Sequence, residues 1–404
     1  MRFILAPTPF VRATVTNFFF FLGLNGFVLL PLYIQQLGGN EIEIGMVMGL
    51  YSGVGIVCQP LIGPWVDVIG RRPFMLIGIG LAVTAALLAA APGGVGLLAV
   101  VRALQGIGFS MFFVASFSYV LDIIYVLDII PPAERGWALG IYGVSGFVST
   151  AIAPLFGEWI IRTVGFRALF LLSAAVSLST FLLVWPLREA PRGIGAPLRL
   201  APGAVRAALE DVLHRHMFVT MFFGLGSGTI FAFLPTFAED LGVTTLSLFY
   251  TAYSLSAIAV RVAGGRLIDT HGRRAVIVPS MFVQVAATGT LAVLGALVTR
   301  SSATPVLPGL FLAGLLSGGA HGFLYPGLAA LVTDTTPDER RAAVVGIFSA
   351  MFLIGQTAGA FTFGWIANAL GYGSMWAALT ALLLVGCLVS LRLKPARAAA
   401  GARA

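Results

Sequence analysis

The amino-acid sequence predicts an all-α membrane protein, with twelve transmembrane helices in two pseudo-symmetric six-helix bundles. Three observations lead to this prediction. The chain is 58% hydrophobic and only 10% charged, which is typical of proteins embedded in lipid. Apolar runs long enough to cross a bilayer recur from end to end, and two motifs of the first half return in the second half.

The apolar runs are roughly 18 to 27 residues long, enough to cross a hydrocarbon layer of about 30 Å at about 1.5 Å per residue. They must be helical because unpaired backbone groups are not tolerated in lipid, and they lack the two-residue alternation of a membrane β-barrel. The twelve predicted spans are 10–36, 42–66, 74–91, 95–119, 137–161, 166–186, 217–237, 246–268, 276–298, 307–332, 344–369 and 374–391.

The basic residues indicate the orientation in the membrane. Of the 24 basic residues, 19 fall in segments expected on the cytoplasmic side, either in connectors or at the cytoplasmic ends of spans, whereas only Arg162, Arg167 and Arg300 fall on the periplasmic side. The other two, Arg102 and Arg261, lie deeper inside spans. This bias predicts a multi-pass protein of the bacterial inner membrane with both termini cytoplasmic. The net charge of +8 is therefore expected to face the lipid bilayer, not nucleic acid.

The longest connector divides the chain into an N-terminal bundle at 1–187, a cytoplasmic linker at 188–216 and a C-terminal bundle at 217–404. Cys58 and Cys387 both fall inside apolar spans, so neither a disulfide framework nor a metal site is expected. We expect a monomer that needs no cofactor.

Two motifs occur at matched positions in both halves. The connector after the second span and the one after the eighth share Gly, Asp, Gly, Arg and Arg at identical spacing. The connectors after the fourth and tenth spans share Asp, Pro, an acidic residue and Arg: Asp128, Pro131, Glu134 and Arg135 against Asp334, Pro337, Glu339 and Arg340. Chance is an unlikely source of two such matches.

On these motifs the whole chain resembles the major facilitator superfamily of secondary transporters, and in particular bacterial proton antiporters for drugs or metabolites. The resemblance implies two bundles that rock around a central cavity, with a small-molecule substrate and protons as partners. It also implies that the repeated loop stabilises the outward-facing state. The expected gating residues are Gly63, Asp67, Gly70, Arg71, Arg72, Gly265, Asp269, Gly272, Arg273 and Arg274.

The gating residues also have a direct physical interpretation. Gly63 and Gly265 would let helices approach closely, while Asp67 and Asp269 can each meet an arginine or the positive end of a neighbouring helix. The alternative is that the arginines only anchor the topology.

Three ionisable residues are candidates for proton coupling. Arg102 lies within the fourth span, in an Arg-x-x-Gln-Gly-x-Gly pattern that resembles a family element linked to coupling. His321 lies in the tenth span, and an unperturbed imidazole titrates near neutral pH; Glu158 lies at the periplasmic side of the fifth span. The alternatives are a snorkelling arginine, a neutral histidine bonded across helices, and a glutamate that reaches the headgroups.

Neutral polar side chains are the candidates for lining the cavity: Asn17, Asn25, Gln105, Tyr325 and Gln356. Their alternative role is to hold helices together. Because so few charges are embedded, we expect the cavity to suit an amphipathic or neutral solute.

A perfect six-residue tandem copy occupies 119–124 and 125–130. Compared with the family pattern, one copy is an insertion, and as helix it would add about 9 Å. It predicts an extension or bulge at the cytoplasmic end of the fourth helix.

The leading functional hypothesis is proton-coupled export of a small organic solute. The alternative is a symporter or facilitator that takes up a neutral nutrient, and the sign of the response to a pH gradient distinguishes the two. The sequence disfavours a receptor or an enzyme, because it has no soluble domain, no nucleophile–histidine–acid set, no metal-ligand cluster and no phosphate-binding loop.

Overall fold

The computed structural model describes residues 8–126, 130, 135–187, 217–243, 245–298, 306–334 and 341–393. Within these residues every regular element is a helix. The α-helices are α1 Thr8–Asn25, α2 Leu30–Gln36, α3 Glu41–Ile69, α4 Arg71–Ala90, α5 Val95–Leu121, α6 Arg135–Thr163, α7 Phe166–Val184, α8 Met217–Asp240, α9 Ser247–Thr270, α10 Arg273–Val298, α11 Val306–Asp334 and α12 Arg341–Ser390. A 3₁₀ turn, Gly26–Leu29, joins α1 to α2, so the first predicted span is interrupted near its middle.

The lengths of the helices agree with the predicted membrane fold. Ten segments of the described chain are long and apolar enough to cross a bilayer. One of them, Gly346–Ser390, has 45 residues and contains Gly371 with a φ of 78°, outside the helical region. This break lies between the predicted spans 344–369 and 374–391. The all-α membrane fold is confirmed, and the count is consistent with twelve crossings.

Short connectors keep neighbouring helices antiparallel, and specific residues in these connectors begin or end the helices. Asn40 and Glu43 form a capping box at the start of α3, with both side chain–backbone hydrogen bonds at 3.0 Å. Gly70, with a φ of 125°, separates α3 from α4. A residue with a side chain would be strained there, which explains why the repeated loop has glycine at this position.

The helices pack in two groups. In the first, α4 packs on α5 and α7, α1 packs on α6 and α7, and α3 packs on α5. In the second, α12 packs on α8, α9 packs on α11, and α10 packs on both α11 and α12. The two groups meet mainly where α3 packs on α12 and α6 packs on α9.

The buried apolar side chains show that the groups are joined at one end of the molecule. We call the end that carries connectors 37–40, 91–94 and 164–165 and residues 241–243 and 245–246 the closed end, and the other the open end. The core at the closed end contains residues from both groups, among them Phe27, Leu30, Phe233 and Trp376. Towards the open end there are two separate cores, one from each group. In the described part of the chain, the two groups therefore share an apolar core at one end only.

A seam of small residues joins α3 to α12 near the closed end. Gly45, Gly49 and Gly53 lie at four-residue intervals on α3, a spacing that lets helix backbones approach closely in membranes. A Cβ atom at Gly45 would collide with the backbone carbonyl oxygen of Ala360. By contrast, a Cβ atom at Gly63, towards the open end of α3, would have no atom within 4 Å.

The tandem copy coincides with a change of helix type. Residues Asp122–Val126 form a π-helical turn directly after α5, which accommodates extra residues within a helix. The bulge predicted from the insertion is thus present, while residues 127–129 of the second copy lie outside the described part of the chain. Asp122 remains anchored because its Oδ2 lies 3.0 Å from Nε of Arg71.

Candidate functional site

A cavity of about 130 Å³ lies between the two groups of helices. The first group contributes Asn25, Tyr51 and Arg102, and the second group contributes Phe231 and Gln356, among others. Three residues chosen from the sequence, Asn25, Arg102 and Gln356, therefore line one cavity. Ligand pockets of drug-sized molecules usually measure about 300–1,000 Å³, so a solute would fit here only if it is small or extends beyond this cavity.

Arg102 is the charged group of the cavity, and it is held by two neighbours. It is only 7% exposed, and its Nη1 donates a hydrogen bond of 2.9 Å to Oε1 of Gln105. Its guanidinium carbon lies 4.5 Å from the centre of the Tyr51 ring, a cation–π distance. One turn later, Gly106 packs against the backbone of Tyr51, where a Cβ atom would collide with the carbonyl oxygen. This close approach of α5 to α3 brings the ring beneath Arg102.

The neutral candidates divide between the cavity and the helix contacts. Nδ2 of Asn25 donates to the hydroxyls of Ser149 and Thr150, each at 3.0 Å, while the residue lines the cavity. Asn17 is buried and donates to Ser145 at 2.8 Å, so it links α1 to α6 and is not among the lining residues. Tyr325 lies outside this cavity as well.

His321 lies beside a second, much smaller cavity of about 10 Å³. Phe231 lines this cavity as well as the larger one, so the two cavities adjoin. The imidazole is enclosed by aromatic rings, with centroids 5.0 Å away at Phe223, 5.8 Å at Phe147 and 5.8 Å at Tyr253. This histidine therefore belongs to an aromatic cluster next to the cavity.

Arg261 is a site residue to which the sequence reasoning gave no role. Its guanidinium carbon lies 4.7 Å from the centre of the Phe147 ring. Arg261 is on α9 and Phe147 is on α6, so this contact crosses between the two groups of helices. Its position inside a predicted span was the signal that could have found it, because an ionisable residue in a membrane is costly and usually functional.

Glu158 makes a contact between the groups at the closed end. It lies on α6 and is 9% exposed. One carboxylate oxygen, Oε1, accepts a hydrogen bond from the backbone N–H of Leu246, the residue before α9. An anion is favoured at this position because the N-terminus of a helix carries partial positive charge. A titratable group thus bridges the two halves of the chain where they close.

The arginines of the repeated loops contact their own bundle at the open end. Nη1 of Arg71 donates to the carbonyl oxygen of Val66 at 3.2 Å. The guanidinium carbon of Arg72 lies 5.1 Å from the centre of the Trp185 ring. In the second half, Nη2 of Arg274 donates to the carbonyl oxygen of Leu391 at 2.8 Å. The side chains of Asp67 and Asp269, and the surroundings of Gly265, lie outside the described part of the chain.

Comparison with known proteins agrees with this architecture. A family model described as "Major Facilitator Superfamily" matches residues 13–297 and 216–403. The multi-drug resistance efflux pump PmrA of Streptococcus pneumoniae is 24% identical over 375 residues, covering 90% of each chain. The staphylopine export protein of Staphylococcus aureus is 24% identical over 405 residues, covering 96% of each chain.

A solved structure has the same fold. The nucleoside transporter NupG superimposes with a TM-score of 0.76 at 14% identity, covering 96% of this chain and 99% of that chain. Because the family model matches both halves of the sequence, and because two groups of helices enclose a cavity between them, this chain belongs to the major facilitator superfamily of membrane transporters.

Proposed function

We propose that the protein is a monomeric secondary transporter that exports a small organic solute across the bacterial inner membrane in exchange for protons. The observation that carries the coupling part of the proposal is the hydrogen bond from Leu246 to Glu158. It makes a titratable carboxylate part of the contact that closes one side of the cavity. The names of two relatives, an efflux pump and an export protein, support the outward direction.

The orientation follows from the distribution of basic residues. With both termini cytoplasmic, the closed end is periplasmic and the open end is cytoplasmic. The cavity that holds Arg102 then lies on the cytoplasmic side of the closed contact, so a solute made in the cell or entering the cytoplasm binds in this state.

The proton acts on the closed contact. Ionised Glu158 is a strong acceptor for the N–H of Leu246, because hydrogen bonds to charged groups contribute about 1.5–3 kcal/mol. A proton arriving from the periplasm removes the charge and weakens the contact. A loss of this size shifts the ratio of closed to open states by roughly 10- to 150-fold. Opening to the periplasm releases the solute, and return to the closed state delivers the proton to the cytoplasm.

The test is transport by the purified full chain in liposomes, with a panel of small solutes and an imposed pH gradient. We expect at least one solute to move against the direction of proton flow. Movement with the proton flow would instead identify the symporter alternative. Gradient-independent flux in the wild type would overturn the coupling.

Substitutions then identify the proton site. Glu158→Gln keeps an oxygen that can accept from Leu246 but cannot titrate, so we expect gradient-driven flux to be lost while solute exchange without a gradient remains. Arg102→Ala is expected to abolish coupled flux. The control is Glu239→Gln, which removes an exposed carboxylate near the same end of the molecule. Undiminished gradient-driven flux in Glu158→Gln would exclude this residue.

A further inference from the structure

Two guanidinium groups lie inside the molecule, one in each bundle, without a carboxylate partner. Among the residues whose side chains are described, neither Arg102 nor Arg261 forms a salt bridge, and the Nε of each is buried without a hydrogen-bond partner. Glu158, a buried carboxylate, is already engaged with Leu246 at the closed end. The interior therefore carries positive charge that the described part of the protein does not neutralise.

The two arginines are connected by a continuous aromatic surface. Phe231 lines the cavity of Arg102 and also the cavity of His321. Its ring packs edge-to-face on Tyr253 with centroids 5.5 Å apart. The centroid of the Tyr253 ring in turn lies 6.2 Å from that of Phe147. The guanidinium of Arg261 lies over this Phe147 ring. A ligand can thus meet a cationic group and several ring faces in one region.

This combination has a defined chemical preference. A guanidinium offers several N–H donors in a planar fork, which matches a carboxylate or sulfonate. Gln105 and the Tyr51 ring occupy one N–H and one face of Arg102, and its buried Nε has no hydrogen-bond partner in the described chain. Aromatic rings add offset or edge-on contacts to a flat apolar ligand. A cationic ligand would be repelled by both arginines at close range.

We propose that the transported solute is an amphipathic aromatic anion whose carboxylate or sulfonate binds Arg102, with its ring system in the larger cavity against Phe231. Arg261, on the other bundle, adds positive charge at the far side of the aromatic cluster. This inference rests on the proposed function and narrows the neutral or amphipathic solute expected from the sequence to an anionic class.

The test uses three probes that share one ring system and differ in charge: naphthalene-2-sulfonate, naphthalene-2-sulfonamide and (2-naphthylmethyl)trimethylammonium. They are added to the liposome panel described above. We expect protein-dependent flux of the sulfonate to exceed that of the ammonium probe by about tenfold or more, because the charge-assisted contact is lost and replaced by repulsion.

Variants link the preference to the two arginines. Arg102→Gln and Arg261→Gln should each reduce sulfonate flux about tenfold, and the corresponding lysine variants should retain part of it because they keep the charge. Arg167→Gln, which removes an exposed arginine, is the control. Size-exclusion chromatography identifies variants that remain folded, and sulfonate flux is measured as exchange without a pH gradient, so that a loss of proton coupling is not counted as a loss of binding. Equal sulfonate flux in the wild type and both glutamine variants would overturn the assignment.

The outcomes separate this inference from the proposed function. If the ammonium probe moves faster than the sulfonate, or if another solute of the panel is exported while the sulfonate is not, the anion assignment is wrong and the exporter stands. If the sulfonate exchanges saturably through both arginines but ignores the pH gradient, the anion site stands and proton coupling is wrong.

Discussion

At the residue scale, each of the two interior arginines lies over an aromatic ring. Arg102 lies over Tyr51 at 4.5 Å and Arg261 lies over Phe147 at 4.7 Å. The sequence pattern singled out Arg102, but it could not name Tyr51. The partner depends on how far α5 approaches α3, and that distance is set by a backbone contact at Gly106 that no local pattern encodes. Single residues were therefore easier to predict than their pairs.

The Arg102–Tyr51 stack should contribute measurably to stability. Tyr51→Leu removes the ring beneath the guanidinium and is expected to lower the free energy of unfolding by about 1–2 kcal/mol, because a desolvated cation–π contact contributes about that much. Tyr51→Phe keeps the ring and should remain close to the wild type. The apparent Tm of the purified protein in detergent is the measurement. Equal losses in both variants would assign the effect to the hydroxyl group instead.

At the element scale, hydropathy predicted where helices lie but not which way they face. The break at Gly371 lies between two predicted spans, and α3 and α5 begin within one residue of their predicted starts. The rotation of each helix about its own axis was not predictable from the sequence, because the lipid-facing and core-facing sides of such helices are both apolar. Asn17 and Asn25 are about two turns apart on α1, yet only Asn25 lines the cavity.

The tandem copy gives an element-scale prediction. Deleting residues 125–130 leaves one copy, keeps the sequence around Asp122 and restores a single Asp-x-x-Pro end like that of Asp334 in the second half. We expect the π-helical turn to disappear and transport to stay within about twofold of the wild type, because an insertion of this kind is absorbed locally. The measurement is flux of an identified substrate in liposomes.

A substitution in the intact chain provides the comparison for the deletion. Asp122→Asn removes the charge that faces Arg71, and transport should fall more than in the deletion variant. Complete loss of transport on deletion, with the protein still folded, would show that the second copy is functional.

At the scale of the whole molecule, the arrangement of cores explains how one chain can be sealed on one side only. The shared core at the closed end joins the bundles, while each of the two cores towards the open end contains residues of one bundle only. Two packed bodies with a replaceable contact are the usual basis of a two-state transition. The sequence repeat predicted two such bodies, but the side on which they meet depends on tertiary contacts.

Locking α3 to α12 with a disulfide should stop transport. The hydroxyls of Ser52 on α3 and Thr357 on α12 are 3.0 Å apart, so cysteines at both positions can form a disulfide. In a background in which Cys58 and Cys387 are replaced by alanine, we expect the oxidised Ser52→Cys/Thr357→Cys variant to be inactive and to recover with a reductant. Each single cysteine variant is the control. An oxidised pair that still transports would mean that this contact does not open during the cycle.

The seam at Gly45 has a consequence for how abruptly the passage opens. At Gly45 the backbone of one helix faces the backbone carbonyl oxygen of Ala360 on the other, so no long side chain lies between the two helices at this point that could stretch to follow a moving partner. Dispersion attraction decays so steeply that a gap of about 0.5–1 Å already forfeits a quarter to a half of it. A small separation therefore already forfeits a large share of the attraction. The seam should favour a fully engaged or a fully separated arrangement over a half-open one.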